Sequence, residues 1–146
     1  MNQMFESENA VAGAIADASL RIDAVAETAE VRRGAFDRGS GEIVWRIWGQ
    51  GPAMVLLHGG HGSWRHWFHN ITPLAQHFQL YVADMAGQGD SDMAPQPYDA
   101  DSLALLLHES LQQVMSADRQ FGIVGFSFGS VIGAVLAALQ SKRLDY

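Results

Sequence analysis

The sequence predicts an α/β fold built on a mostly parallel sheet whose first strand pair is antiparallel. Two observations carry this prediction. Short apolar runs alternate with helical patterns from residue 31 onward, and glycine-rich stretches follow three of these runs. The predicted order after residue 30 is β-β-β-α-β-α-β-α, and strands joined through helices in this way usually lie parallel in one sheet.

Residues 1–30 differ in composition from the rest of the chain. They hold six acidic residues against one arginine, so they carry most of the net charge of −7. Their apolar residues recur every three or four positions, which indicates a weakly amphipathic helix, either frayed or docked. We therefore predict an N-terminal extension over 1–30 and a single domain over 31–146. The apolar positions of the extension are Val11, Ile15, Ala18, Ile22, Val25 and Ala29.

Three strands are predicted at the start of the domain. Val31–Asp37 and Ile43–Trp48 flank the glycine-rich segment Arg38–Gly41, a pattern typical of a β-hairpin. Ala53–Leu57 is apolar throughout, as expected of a strand that is buried on both faces.

Three helical patterns alternate with the remaining strands. The first, Trp64–His77, contains Pro73, which should bend or interrupt the helix. The second, Ser102–Met115, carries leucines on one face, and Asp99 or Asp101 is placed to cap its start. The other predicted elements are the strands Gln79–Ala83 and Phe121–Val124 and the helix Phe128–Gln140.

Composition excludes several classes of function. The absence of cysteine rules out a disulfide framework and a cysteine nucleophile, and it fits a reducing, cytoplasmic compartment. No basic patch suits nucleic acid, and no segment approaches the roughly 20 apolar residues of a membrane span. Residues 1–30 also lack the cationic start and continuous apolar run of a targeting sequence. We expect a small-molecule substrate as the partner, and the oligomeric state is not readable from these patterns.

A nucleotide site is the first alternative for the glycine-rich loops. The dinucleotide pattern requires a third glycine three residues after the second. Gly87 and Gly89 would need that glycine at Asp92, and the loop after the third strand fails in the same way at Arg65. No loop ends in the Gly-Lys-Ser/Thr of a phosphate-binding loop, so no cofactor is predicted.

Paired histidines raise a second alternative, a metal site. His58 with His61, and His66 with His69, are each three residues apart. Neither pair has the glutamate of a His-Glu-x-x-His pattern, and no cysteine or cluster of acidic residues completes a ligand set. We interpret these histidines as surface or loop-packing residues and predict no metal.

The stretch Gly125-Phe126-Ser127-Phe128-Gly129 matches the pattern G-x-S-x-G between a predicted strand and a predicted helix. In this arrangement a tight turn projects the serine oxygen, and small neighbours prevent steric collision. The alternative is that the glycines only permit a turn and that Ser127 caps the following helix.

Three motifs in order resemble the α/β-hydrolase family over residues 31 to about 146. They are "LLHGGHGSW" after the third strand, "YVADMAGQGDSD" after the fourth and "VGFSFGS" at the fifth. The middle motif departs from the common Asp-Leu-Pro-Gly-His-Gly-x-Ser form at Met85, Ala86 and Gln88. The resemblance implies that Ser127 is the nucleophile and that the backbone N–H groups of Gly60 and Phe128 form the oxyanion hole.

The reaction implied by the resemblance is acyl transfer to Ser127 from an ester, an amide or an activated carbon–carbon substrate. Family members that attack halides or epoxides carry an aspartate at the position of Ser127. In this family the order along the chain is serine, acid, histidine. Only Asp145 follows Ser127 as an acid, and no histidine follows it. His58 and His108 are interpreted as a loop-shaping residue and a partly exposed helical residue, not as the base.

The last residues, "LQSKRLDY", resemble the loop that leads into the sixth strand of this family. We therefore expect the chain to be the N-terminal part of a longer hydrolase, truncated after the helix that follows Ser127 and inactive by itself. The fifth strand would then be an unpaired apolar edge. The alternative is a non-catalytic α/β-hydrolase-like fragment or binding protein.

Overall fold

The computed structural model describes residues 2–37 and 40–145, with side chains from residue 8 onward. Five strands form one mixed sheet in the order β1-β2-β4-β3-β5. Strand β3 lies between β4 and β5 and is parallel to both, whereas β2 is antiparallel to β1 and to β4. The strands are β1 Glu30–Phe36, β2 Gly41–Trp48, β3 Ala53–Leu57, β4 Gln79–Ala83 and β5 Phe121–Gly125. The predicted α/β fold with an antiparallel first strand pair is confirmed.

Two helices cover each face of the sheet. Helices α3 (Ala100–Val114) and α4 (Phe128–Leu139) pack on one face, and α1 (Asn2–Glu27) and α2 (Phe68–Leu74) pack on the other. Successive residues of β3 point to opposite faces, so both layers draw on the same buried strand. Every residue of β3 is buried, as its apolar sequence predicts. The tip of the predicted hairpin includes residues 38 and 39, which lie outside the described residues.

The single helix predicted over 64–77 is wrong in its extent. A 3₁₀ turn spans Trp64–Trp67, and α2 then continues only to Leu74. The helix ends at Leu74, one residue after Pro73, which is near the interruption expected at this proline. The start of α3 agrees with the prediction, because the Asp99 side chain accepts the backbone N–H of Ser102 at 2.8 Å.

The N-terminal helix α1 is docked at one end and exposed at the other. Ile22 and Val25 pack on the second face of the sheet, and the indole N–H of Trp48 donates to the carbonyl oxygen of Val25 at 3.1 Å. Val11 and Ile15, on the same stripe, are exposed. The C-terminal half of α1 is therefore docked on the sheet, whereas the described side chains of its N-terminal half are exposed although the backbone stays helical. No helix among the described residues has the length and apolar character needed to cross a bilayer.

The outer edge of β5 is partly paired, which corrects the expectation of a wholly unpaired edge. After α4 the chain returns, so that Phe121 donates its N–H to the carbonyl oxygen of Arg143 and accepts the N–H of Asp145. This forms a single parallel bridge between Phe121 and Leu144. Farther along the same strand, Val124 remains exposed.

Candidate active site

Ser127 lies at the corner where β5 ends and α4 begins. Its backbone has φ 52° and ψ −120°, a left-handed conformation that residues other than glycine rarely adopt. Such conformations cost about 1–3 kcal/mol and concentrate at functional sites. The Ser127 side chain is exposed and, within the described residues, forms no hydrogen bond that caps α4. The alternative that Ser127 is a side-chain cap is therefore wrong.

Glycine is required on both sides of this corner. A Cβ on Gly125 would lie 2.5 Å from the carbonyl oxygen of Gly129. A Cβ on Gly129 would collide with the carbonyl oxygens of Leu57 and His58, because α4 starts directly against the end of β3. The two glycines therefore allow a strand and a helix to meet at a turn that leaves Ser127 exposed.

Gly60 and Phe128, the predicted oxyanion-hole residues, are neighbours. A Cβ on Gly60 would lie 3.8 Å from the Cβ of Phe128, and a Cβ on Gly59 would lie 3.4 Å from the Cβ of Ser127. Across residues 2–37 and 40–145, no group accepts a hydrogen bond from the backbone N–H of Gly60 or Phe128. Phe128 is also the first residue of α4, where the positive end of the helix dipole lies. Two unpaired amides beside an exposed hydroxyl are suited to hold an oxyanion.

The loop that carries Gly60 is anchored by His58. This side chain is fully buried, its Nδ1 lies 2.7 Å from the carbonyl oxygen of Gly59, and its Nε2 accepts the N–H of Met85 at 3.0 Å. Because Met85 can only donate, the proton of the ring is on Nδ1. Burial lowers the pKa of His58, and the carbonyl of Gly59 and the charge of Asp84 oppose that shift in part. His58 is thus a neutral loop-shaping residue, as predicted, and both of its nitrogens are engaged.

Two further contacts position the same loop. The N–H of Gly59 donates to Nδ1 of His66 at 3.3 Å, and the N–H of Gly62 donates to Oε1 of Gln88 at 3.1 Å. The ring of His66 also packs edge-on against Phe126, beside Ser127, with ring centroids 5.8 Å apart. The loop is therefore held from both sides, by the 3₁₀ turn and by the loop after β4.

Asp84 connects three segments below the site. Its carboxylate is fully buried and accepts hydrogen bonds from the N–H of Trp64 at 2.6 Å, from the N–H of Asp90 at 3.0 Å and from the Arg46 guanidinium at 2.9 Å. A second nitrogen of Arg46 pairs with the exposed Asp90. Sequence reasoning did not single out Asp84, although an acidic residue directly after a buried strand is a signal that could have found it.

A cavity of about 410 Å³ opens beside the two unpaired amides. Gly60 and Phe128 form part of its wall, and most of the remaining wall comes from the loop after β4 and from the start of α3. Its volume is within the range of small-molecule sites, roughly 300–1,000 Å³. The other lining residues are His61, Ala86, Gly87, Gln88, Met93, Ala94, Tyr98 and Leu103.

The structure brings Ser127, Gly60 and Phe128 together, but it places no histidine in hydrogen-bond contact with Ser127 among the described residues. His108 is half-buried on α3, and its two ring nitrogens face Gln112 and Gln140. His69 packs on the ring of Phe68. Within the described part of the chain, no group of three histidine, aspartate or glutamate side chains is arranged to hold a metal ion.

Comparison with known sequences identifies relatives over the region that contains this site. The family model for the alpha/beta hydrolase fold matches residues 52–145. A pimeloyl-[acyl-carrier protein] methyl ester esterase from Vibrio vulnificus is 34% identical over 99 residues, which are 67% of this chain and 36% of that protein. The esterase of the same name from Aeromonas salmonicida is 30% identical over 101 residues. The chain spans about a third of the length of these curated relatives.

Solved structures give the same architecture. The protein Cfl2 from Burkholderia cenocepacia superposes with a TM-score of 0.70 at 26% identity, covering 78% of this chain and 38% of that one. An epoxide hydrolase from Vigna radiata superposes with a TM-score of 0.70 at 22% identity, covering 81% and 36%. The second likeness is one of fold alone.

Proposed function

This chain belongs to the α/β-hydrolase fold family, and we propose that within it Ser127 is the nucleophile of a hydrolase that acts by acyl transfer. The observation that carries the proposal is a serine in a left-handed conformation, with an exposed hydroxyl, beside the amides of Gly60 and Phe128, which have no acceptor among the described residues. The substrate class is an ester, an amide or an activated carbon–carbon bond. An epoxide substrate is disfavoured, because Ser127 stands where the family members that open epoxides carry an aspartate.

In the proposed reaction, the Ser127 oxygen attacks the substrate carbonyl carbon as its proton passes to a base. The carbonyl oxygen becomes an oxyanion that accepts hydrogen bonds from the N–H groups of Gly60 and Phe128. Removing one such donor typically costs about 10²–10³ in rate, so these amides supply a large share of the barrier reduction. The intermediate then collapses, the leaving group departs with a proton, and water releases the acyl group from Ser127.

The base is not among the residues that follow Ser127 in this sequence, since none of them is a histidine. We propose that the chain as given reacts slowly and that its reactivity comes from the turn and the oxyanion hole. Serine hydrolases that lose a triad member retain residual catalysis from these parts. A small soluble base should therefore restore part of the rate.

Covalent labelling by an alkyl fluorophosphonate tests the proposal. We expect intact-mass spectrometry to show one adduct, formed faster when imidazole is added to the buffer. Ser127→Ala should abolish the adduct, whereas Ser130→Ala should retain it. Ser130 is a matched control because it is also exposed, lies three residues away, and already donates its hydroxyl to the carbonyl oxygen of Gly125. Absence of labelling with and without imidazole would favour the alternative of a non-catalytic binding protein.

A further inference from the structure

We infer that the cavity beside Gly60 and Phe128 binds an uncharged, apolar acyl group, so that the substrate is a neutral ester or amide of an apolar acid. The inference rests on the proposed function, because it takes the two amides as the site of the carbonyl oxygen. Both amides belong to residues that line the cavity. A carbonyl oxygen bound between them places a substituent of the carbonyl carbon at the mouth of the cavity.

The leaving group is the less suitable occupant. It must depart after the intermediate collapses, and Ser127, to which the acyl group stays attached, is itself exposed to solvent. The acyl group remains in place until water releases it. The cavity beside the oxyanion hole is therefore assigned to the acyl group.

The chemistry of the wall defines the acyl group. Apolar side chains form most of the lining, and none of the ten lining residues is aspartate, glutamate, lysine or arginine. The polar side chains of the lining are His61, Gln88 and Tyr98, and Oε1 of Gln88 already accepts the N–H of Gly62. A carboxylate at the end of the acyl chain would lose water without meeting a lysine or an arginine, and such desolvation is unfavourable. We therefore expect the cavity to select among acyl groups by their charge more than by their shape.

Met93 and Leu105 provide a matched pair of sites for the test. Met93 lines the cavity and is 69% exposed, so a substitution there should not disturb the core. Leu105 is 48% exposed on α3 and does not line the cavity. Glutamate at position 93 places a negative charge at the cavity wall, and glutamate at position 105 places the same charge elsewhere on the surface.

The experiment is a ¹⁵N-edited NMR titration of the chain with methyl hexanoate and, separately, with monomethyl adipate, a methyl ester of the same chain length that carries a carboxylate at the far end of its acyl chain. We expect methyl hexanoate to shift the amide signals of Gly60, Gly87 and Phe128, and monomethyl adipate to bind at least about tenfold more weakly because its distal carboxylate meets no lysine or arginine in the wall of the cavity. Met93→Glu should weaken methyl hexanoate binding to a similar degree. Leu105→Glu should leave it within about twofold, because it places the same charge away from the wall of the cavity.

Failure of this inference differs from failure of the proposed function. Ser127→Ala removes the nucleophile but should keep methyl hexanoate bound. Amide shifts at the cavity of the parent chain, without any phosphonate adduct on it, would contradict only the proposed function. Equal affinity for the neutral ester and the ester with the distal carboxylate, or an unchanged affinity in Met93→Glu, would overturn the assignment of the cavity. Shifts of amide signals confined to residues outside the cavity would also overturn this assignment, even if Ser127 is labelled.

Discussion

Gly125 and Gly129 approach each other across the turn at Ser127 so closely that a Cβ on Gly125 would lie 2.5 Å from the carbonyl oxygen of Gly129. The same Cβ would lie 2.6 Å from the Cα of Ser130. Both obstacles are backbone atoms of α4, so neither can move as a flexible side chain would. The geometry of the turn therefore requires a residue without a side chain at position 125.

Gly125→Ala should destabilise the fold by about 1–3 kcal/mol, because the extra methyl group forces the start of α4 away from β5. Gly13→Ala is the matched control, since nothing lies within 4 Å of a Cβ at that helical position. This control should be neutral or stabilising by about 0.5–1 kcal/mol. Urea denaturation followed by circular dichroism measures both variants. A Gly125→Ala protein as stable as the parent would show that the turn tolerates a different geometry.

Ser127→Gly should raise the free energy of unfolding by about 1 kcal/mol, because glycine adopts the left-handed conformation without strain. Ser127→Ala should give no such gain, since alanine keeps the Cβ that causes the strain. Chemical denaturation of the two variants in parallel isolates the backbone effect from the loss of the hydroxyl. Equal stabilities for the two variants would mean that the conformation at residue 127 carries little strain.

Asp84→Asn should destabilise the chain by about 3–5 kcal/mol, because it leaves the largely buried Arg46 without its buried carboxylate partner. Asp90→Asn removes the other carboxylate of Arg46, but that side chain is 62% exposed, and the cost should be below about 1 kcal/mol. Thermal unfolding of both variants, read by circular dichroism, tests the contrast. The idea that Asp84 joins the three segments fails if the two substitutions cost the same.

Stability should fall on acidification in a way that depends on His58. Burial lowers the pKa of this residue in the folded protein, so the unfolded chain takes up a proton first. The contribution of His58 is therefore complete above the ordinary pKa of about 6.5 and is lost as pH falls from there through the lower folded-state pKa. A single proton limits the slope to about 1.4 kcal/mol per pH unit. Denaturation curves between pH 7.5 and pH 5, chosen to bracket roughly that ordinary value, should show a shallower decline for His58→Gln. A parallel decline in both proteins would exclude His58 as its source.

Much of the sheet could be predicted because its strands are short and apolar. Ala53–Leu57 and Gln79–Ala83 have the predicted bounds, since burial on both faces leaves a continuous run of apolar residues. The 3₁₀ turn at Trp64–Trp67 could not be predicted. Its first residue is held by the N–H donated from Trp64 to Asp84, a contact between residues 20 positions apart that no local pattern encodes.

The candidate site also has features that the local sequence predicts and features that it does not. The position of Ser127 between two glycines is a local pattern, and the approach of Gly60 to Phe128 follows from the parallel strands β3 and β5 that precede them. The contacts that hold the loop of Gly60 come from His66 and Gln88, on two other segments. Those contacts depend on how the segments pack in three dimensions, so neither composition nor spacing predicts them.

The most direct test of the central claim is a crystal structure of the chain after reaction with diethyl 4-nitrophenyl phosphate. We expect continuous density from Ser127 Oγ to phosphorus, with the phosphoryl oxygen about 2.7–3.1 Å from the amide nitrogens of both Gly60 and Phe128. A phosphoryl group attached to another residue, or an oxygen on Ser127 that faces away from both amides, would contradict it.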